Sequence, residues 1–479
     1  MNASALLVQG NPNAIALLEK ERQISYGELD LLVRQAATAW RTLGIVSGDI
    51  CIIGLLDGID LVAAFLGLIW IKAIPAAISP RTDAKQLSEL LTDSGARILL
   101  AEESVVDSLA DTPPSTPILS RSSWQAKVSG SAAIVGPPAE ANADDTAFML
   151  FSSGTTGKPK GIEHAHRCVE FAQVFAQEVL GATAKDRFFS TSKLFFAYPL
   201  ANSLFAGLRL GASVVLDPEW PNPQRVSLLV RQHAPTLLFS VPTFYQRLLE
   251  ADIAFPTVRH FVSAGEACSP ALENAWEDKH GRPIVNGYGT TETLMLMLYK
   301  LPGMKGLRPT PMSRVREESP DDAEAGVRLW FSHPAVATGY SRVVTHDTAK
   351  FSGNEFSPGD LFHRADCEEG PSWIFAGRSD QLIKVYGRWV DTVALEHWLL
   401  EKLQVRELSI VPCETAGSTT CLHLFISAQG MDPDSLPSMV EKACVELSAH
   451  KRPAKTHVLS ELPRTETGKI RRGILKAMC

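Results

Sequence analysis

Along the first 290 residues the apolar positions fall into two alternating patterns. In "YGELDLLVRQAATAWRTLG", Tyr26 to Gly44, they recur every three or four residues and stop at a glycine, which predicts an amphipathic helix. In "ICIIGLL", Ile50 to Leu56, they run unbroken and β-branched, which predicts a buried strand. The alternation continues. "TLLFSV" precedes helix-like "PTFYQRLLEA", and "HFVSAG" precedes "SPALENAWEDKH", with Ser269 as N-cap and Pro270 in the first turn. Leu61 to Ile71 is apolar throughout, but at this length it predicts a buried helix and not a membrane span.

Such strand-then-helix repeats build parallel sheets, so the fold class is α/β. Leu301 to Asp322 is rich in Pro, Gly and charge and marks a change to shorter β-like runs such as "VRLWFS". We therefore expect a large N-terminal domain, 1–379, of parallel-rich sheets flanked by helices plus a β-rich subdomain. A small α+β domain, 380–479, follows, with strands in "ELSIVP" and "CLHLFISA" and helices in "TVALEHWLLEKL" and "SLPSMVEKACVELSAH".

Composition narrows the class. With 45% hydrophobic and 21% charged residues in a chain of 479, disorder and fibrous repeats are excluded. A net charge of -7 gives no general attraction to nucleic acid or anionic lipid. The 8 cysteines form no C-x-x-C pair and no Cys/His cluster with zinc-like spacing, so they read as reduced thiols. The start of the chain lacks the pattern of a signal peptide, and a cytoplasmic location is expected.

The chemistry begins at "SSGTTGKPKG", Ser152 to Gly161. A Walker loop needs four residues between its glycines and a hydroxyl after its lysine. Here Gly154 and Gly157 are too close, and Pro159 follows Lys158. The segment nevertheless offers hydroxyls from Ser152, Ser153, Thr155 and Thr156, and charge from Lys158 and Lys160. On a turn after the strand-like "FMLF", these groups and exposed backbone N–H groups can wrap an anion. Taken alone, it reads as either a phosphate grip or a plain turn.

The segment resembles the signature loop of the adenylate-forming superfamily, which includes acyl-CoA synthetases, peptide-synthetase adenylation domains and luciferases. Further motifs follow in the family's order. "SAGEA", with Gly265 and Glu266, resembles the segment lining the adenine site. "NGYGTTET" spans Asn286, Gly287, Tyr288, Gly289, Thr290, Thr291 and Glu292. There the resemblance implies that Tyr288 stacks on adenine and Glu292 holds magnesium. Asp360 in "SPGDLFHR" matches the aspartate that accepts from both ribose hydroxyls, although Pro358 stands where the family more often has Thr. In "GRSDQLIKVYG", Arg378 falls near the ribose, Asp380 at the hinge, and Lys384 and Gly387 at the thiol tunnel. Lys469 in "PRTETGKIRRGILK" matches the catalytic lysine.

The resemblance implies activation of a carboxylic acid by ATP with magnesium, then transfer to coenzyme A or to a carrier protein's phosphopantetheine. It places the acyl pocket at Phe196, Ala197, Tyr198, Ala264, Gly289 and Met295. "KLFFAY" is similar to benzoate-type aryl-CoA ligases, which implies an aromatic or compact acid. Pro199 replaces a usual glycine, and Met295 a usual histidine, giving a more apolar pocket floor. An aminoacyl substrate would want an aspartate just before this run, and the nearest is Asp186. A carrier-loading enzyme and a non-catalytic nucleotide-binding relative are the alternatives.

Overall fold

The first long helix starts with a reciprocal cap. Ser25 Oγ accepts from Glu28 N at 3.2 Å, and Glu28 Oε2 accepts from Ser25 N at 2.7 Å, which launches the helix Tyr26–Thr42. Its buried face, including Leu29, Val33, Ala36 and Trp40, packs on the helix Ile59–Trp70, and Trp40 Nε1 donates to Ala64 O at 3.0 Å. A Cβ at Gly67 would stand 2.8 Å from Ala36 Cβ, so a glycine there permits this close approach.

The computed structural model describes residues 1–111, 113–131, 136–153, 159–318, 326–341, 350–365, 370–378, 382–386, 388–414, 420–429, 431–464 and 470–479. The chain divides into two units. The larger comprises Met1–Arg316, Trp330–Pro358 and Asp366–Ser372, and the smaller Glu317–Leu329, Gly359–Ala365 and Trp373–Cys479.

Two sheets organise the larger unit. In a nine-stranded sheet, the strands Ile15–Glu19, Ser213–Leu216, Arg187–Ser190, Leu237–Ser240, His260–Ser263 and Ile284–Tyr288 pair in parallel, with antiparallel strands at both edges. In a seven-stranded sheet, the parallel strands Ile118–Ser120, Ile98–Ala101, Ile50–Gly54, Ile74–Ala77 and Thr146–Ser153 are extended by Pro159–Ala165 and Gly339–Tyr340, both antiparallel. The predicted strand-then-helix units appear with their caps, including Ser269 accepting from Leu272 N at the start of Pro270–His280. Trp276, at 0% exposure, sits on one face of the nine-stranded sheet, 4.8 Å from the Tyr245 ring and 5.0 Å from that of Phe261.

In the smaller unit a hairpin, Leu382–Val385 with Arg388–Asp391, leads into the helix Thr392–Leu403. A three-stranded sheet follows, ordered Leu408–Glu414, Thr420–Ser427, Lys455–Leu459, with the helices Leu436–Cys444 and Arg472–Lys476. The strand Val327–Ser332 starts in this unit, where Val327 pairs with Phe362, and ends in the larger one, where Phe331 pairs with Phe356. Among the described residues no helix is long and apolar enough to cross a membrane.

One expectation fails. Cys413 and Cys479 are not free thiols: they form a disulfide across a sequence separation of 66 residues, with Cα atoms 5.8 Å apart. The sequence carried no sign of it because the pairing depends on where the helix Arg472–Lys476 docks. The same docking gathers Cys413, His423 and Cys479, a Cys/His group whose spacing along the chain is unlike a zinc motif. Cys51, Cys168, Cys268, Cys421 and Cys444 are thiols, and Cys367 lies outside the described residues.

Trp276→Ala removes the centre of the aromatic cluster and is expected to cost about 3–5 kcal/mol. Urea unfolding followed by circular dichroism should show a lower midpoint with an unchanged slope.

Candidate active site

Several of the expected site residues fall on two hairpins of the larger unit. The first joins Thr146–Ser153 to Pro159–Ala165, with Ser152 opposite Lys160 and Ser153 opposite Pro159. The ends of the signature segment, Ser152 and Lys160, therefore lie on paired antiparallel strands of the seven-stranded sheet. Gly154, Thr155, Thr156, Gly157 and Lys158 lie outside the described residues, as do Asp380, Gly387 and Lys469. The side chains of Ser153, Arg378 and Lys384 are likewise not described.

The second hairpin joins Ile284–Tyr288 to Leu298–Lys300 and carries "GTTET" in its loop. Thr290 N donates to Thr293 Oγ1 at 2.9 Å, Thr293 Oγ1 to Met295 O at 3.1 Å, and Met297 N to Tyr288 O at 2.8 Å. Leu294 takes φ +60° to close the turn. A Cβ at Gly289 would lie 2.7 Å from Met295 O, so this loop has no room for a side chain there. On the strand before the loop, Asn286 Nδ2 donates to Glu273, which also pairs with Lys300. The Tyr288 ring lies 5.8 Å from that of Phe331.

A third segment, His333–Ser341, clips the two hairpins together. Ala337 N donates to Glu292 O at 2.8 Å, while Thr338 N and Ser341 N donate to Glu163 O and Gly161 O on the first hairpin. Tyr340 OH donates to Glu292 Oε1 at 2.9 Å, and Lys160 Nζ stands 5.3 Å from the centroid of the Tyr340 ring. Arg167 braces the segment by donating to Pro334 O and Val336 O. Beneath it, His164 is fully buried against Phe148, and burial pushes its pKa down to about 3, so it stays neutral. Tyr340 was missed in the sequence. It lies 48 residues from Glu292, and no local pattern links the two.

Glu292 is half-buried, with one carboxylate oxygen fixed by a phenol. That donor set fits magnesium, which commonly takes one or two carboxylates and completes its shell with water and phosphate oxygens.

The strand His260–Ser263 delivers Ala264 and Gly265. Tyr198 OH and Tyr245 OH both donate to Val262 O, at 2.8 and 3.0 Å. Ala197, Ala264 and Met295 are buried, whereas Phe196 is 38% exposed and packs on Phe195. The run is held from behind by buried Lys193, whose Nζ donates to Asp217 O and Glu219 O at 2.5 Å, and by Asp57, which accepts from Leu194 N. Tyr198 leads into a fully buried π-helical stretch, Leu200–Phe205. Glu266 accepts from Thr243 N at the start of the helix Pro242–Glu250, where its charge complements the helix dipole. Asp186 is occupied by Arg259, Thr183 and Thr236.

In the smaller unit, Asp360 is buried at the start of the strand Asp360–Arg364, its backbone opposite Arg378.

The family described as AMP-binding enzyme matches residues 6–341. The chain belongs to that family. It is 30% identical to a 3-hydroxybenzoate–CoA ligase of Aromatoleum sp. (strain CIB), over 98% of this chain and 95% of the relative. It is 32% identical to a benzoate–CoA ligase of Thauera aromatica, over 98% and 94%. Among solved structures, an anthranilate CoA ligase in complex with anthranoyl-AMP superposes with a TM-score of 0.87 at 26% identity, covering 100% of this chain and 97% of the other.

Tyr340→Phe deletes a donor to a carboxylate, a change worth about 1.5–3 kcal/mol. Calorimetric titration with magnesium-ATP should show binding weakened about tenfold or more, with the unfolding temperature nearly unchanged.

Proposed function

We propose that this chain is an ATP-dependent, AMP-forming ligase that joins a compact aromatic carboxylic acid to coenzyme A through an acyl-adenylate. The observation that carries this reading is similarity along 98% of the chain to ligases named for 3-hydroxybenzoate and benzoate.

A carboxylate is a poor acyl donor, so its oxygen must first be turned into a leaving group. In the first half-reaction a carboxylate oxygen attacks the α-phosphorus of ATP and pyrophosphate departs. Negative charge grows on the phosphoryl oxygens, and catalysis is mostly positioning and electrostatics. In our reading the loop Ser152 to Lys158, with Lys160, grips the β- and γ-phosphates, and Lys469 bridges the carboxylate and the α-phosphate. Tyr288, Gly265 and Glu266 border the adenine, with Asn286 and Gly287 on the strand and Gly289, Thr290 and Thr291 in the loop after it completing the nucleotide site. Asp360 and Arg378 take the ribose. A magnesium ion at Glu292 would offset phosphate charge. Tyr340 holds that carboxylate in one orientation before the ligand arrives, which lowers the reorganisation needed in the transition state.

In the second half-reaction a thiol attacks the acyl carbon and AMP leaves. We assign this step to a second orientation of the C-terminal domain, 380–479, reached by rotation near Asp380, with Lys384 and Gly387 beside the pantetheine arm. Ala197, Tyr198, Ala264, Gly289 and Met295 form the acyl pocket, with Phe196 at its outer end. Met295 gives it an apolar, deformable floor.

The decisive experiment is pyrophosphate release over a panel of benzoates, aminobenzoates, short aliphatic acids and fatty acids, with coenzyme A or a phosphopantetheinylated carrier protein as acceptor. Aryl acids with coenzyme A should give the highest kcat/KM. Preference for a carrier protein would replace the acceptor, and no turnover with any acid would sink the proposal. Lys469→Ala should lower adenylation on the order of 100- to 1000-fold, while still converting a supplied aryl-adenylate to thioester. Met295→Ala should change the kcat/KM ratio between benzoate and a bulkier ring-substituted acid by about tenfold. An unchanged ratio would put Met295 outside the pocket.

A further inference from the structure

The three-stranded sheet of the smaller unit presents an unusual face. Across its antiparallel ladder Val411 stands opposite His423, and Cys413 opposite Cys421. Directly opposed residues, and residues two apart along a strand, share a face, so Cys413 and His423 are diagonal neighbours on one side. Phe425 opposes His457 on the third strand, which brings His457 to that same side. The helix Arg472–Lys476 covers this face, its buried Leu475 packing with Val411 and Phe425, and the turn after it delivers exposed Cys479.

The thiol sulfurs of Cys413 and Cys479 and an imidazole nitrogen of His423 all lie within 4.8 Å of one another. His457 Nε2 stands 3.1 Å from His423 Nδ1, a contact that orients the His423 ring. His457 is itself held by stacking on Phe425, with centroids 4.3 Å apart. An imidazole aimed by a second polar group is the usual surrounding of a metal-bound histidine. None of these groups belongs to the adenylation chemistry described above.

We propose that, with the Cys413–Cys479 bond reduced, Cys413, His423 and Cys479 bind a thiophilic divalent cation of the zinc class. Tetrahedral zinc with bonds of about 2.3 Å to sulfur holds two thiolates about 3.8 Å apart. The Cα separation of 5.8 Å allows this by side-chain rotation, with one coordination position left for water or another donor. The disulfide and the cation exclude each other. Oxidation by a small-molecule disulfide balances as follows: the two cysteine thiolates give up two electrons and form the S–S bond, the oxidant leaves as two thiolates, and the cation is released. The bound cation would fasten the C-terminal helix to the sheet without a covalent bond.

The test uses the full chain, reduced with a phosphine, stripped with a chelator and titrated with cobalt and then zinc. One equivalent of cobalt should bind with a thiolate-to-metal charge-transfer band, and zinc should displace it. Cys479→Ser, at an exposed position, should abolish the band while the far-ultraviolet circular dichroism is unchanged. His457→Ala should weaken binding about 10- to 100-fold, and prior oxidation with glutathione disulfide should prevent it. If the reduced chain takes up no more metal than Cys479→Ser, the pair is a disulfide only and the proposal fails.

Discussion

The two hairpins of the candidate site are tied to each other by the backbone hydrogen bonds made by His333–Ser341. Neither hairpin it touches could fix the other, because they extend different sheets and their loops share no strand. Donors from Ala337, Thr338 and Ser341 reach both hairpins within five residues, so the distance from Glu292 to the strand Pro159–Ala165 is set by the length of one short segment. The phenol of Tyr340 then turns that spacing into a charge position, since it fixes where the Glu292 carboxylate points. Arg167 stiffens the segment from below. The chemistry is thereby carried on loops but located by sheets, the usual division of labour in α/β enzymes.

The segment around Tyr198 and Ala264 rests on a different device. Tyr198 and Tyr245 converge on one carbonyl, Val262 O, just before the chain leaves its strand for Ala264. Two donors on one acceptor hold the strand end against both an aromatic run and a helix. Buried Lys193 anchors that run to the backbone at Asp217 and Glu219 and not to a substrate. Its charge is satisfied internally, on backbone carbonyls.

How much of this was legible in the sequence follows from the range of each interaction. The helix start at Ser269 and Pro270 was readable because a cap is local; the reciprocal cap of Ser25 and Glu28 is just as local but was found only in the structure. The strands were readable because burial on both faces leaves a continuous apolar run. The family motifs were readable because each is a short string, although the roles of Lys469 and the signature loop rest on resemblance. Tyr340 was not readable, since its partner is 48 residues away and tyrosine in "ATGY" has no distinguishing pattern. The Cys413–Cys479 bond was hidden for the same reason, and more strongly, because it needs both a strand register and a docked helix.

The π-helical stretch Leu200–Phe205 sets how far the segment around Tyr198 can be remodelled. A π-turn carries one residue more than the α-turn it interrupts, and each residue turns a helix by about 100°. Removing a single residue there would rotate Tyr198 relative to the helix Ala206–Leu210 by roughly that angle and break its hold on Val262. Insertion and deletion, more than substitution, are therefore the changes that would re-aim Tyr198.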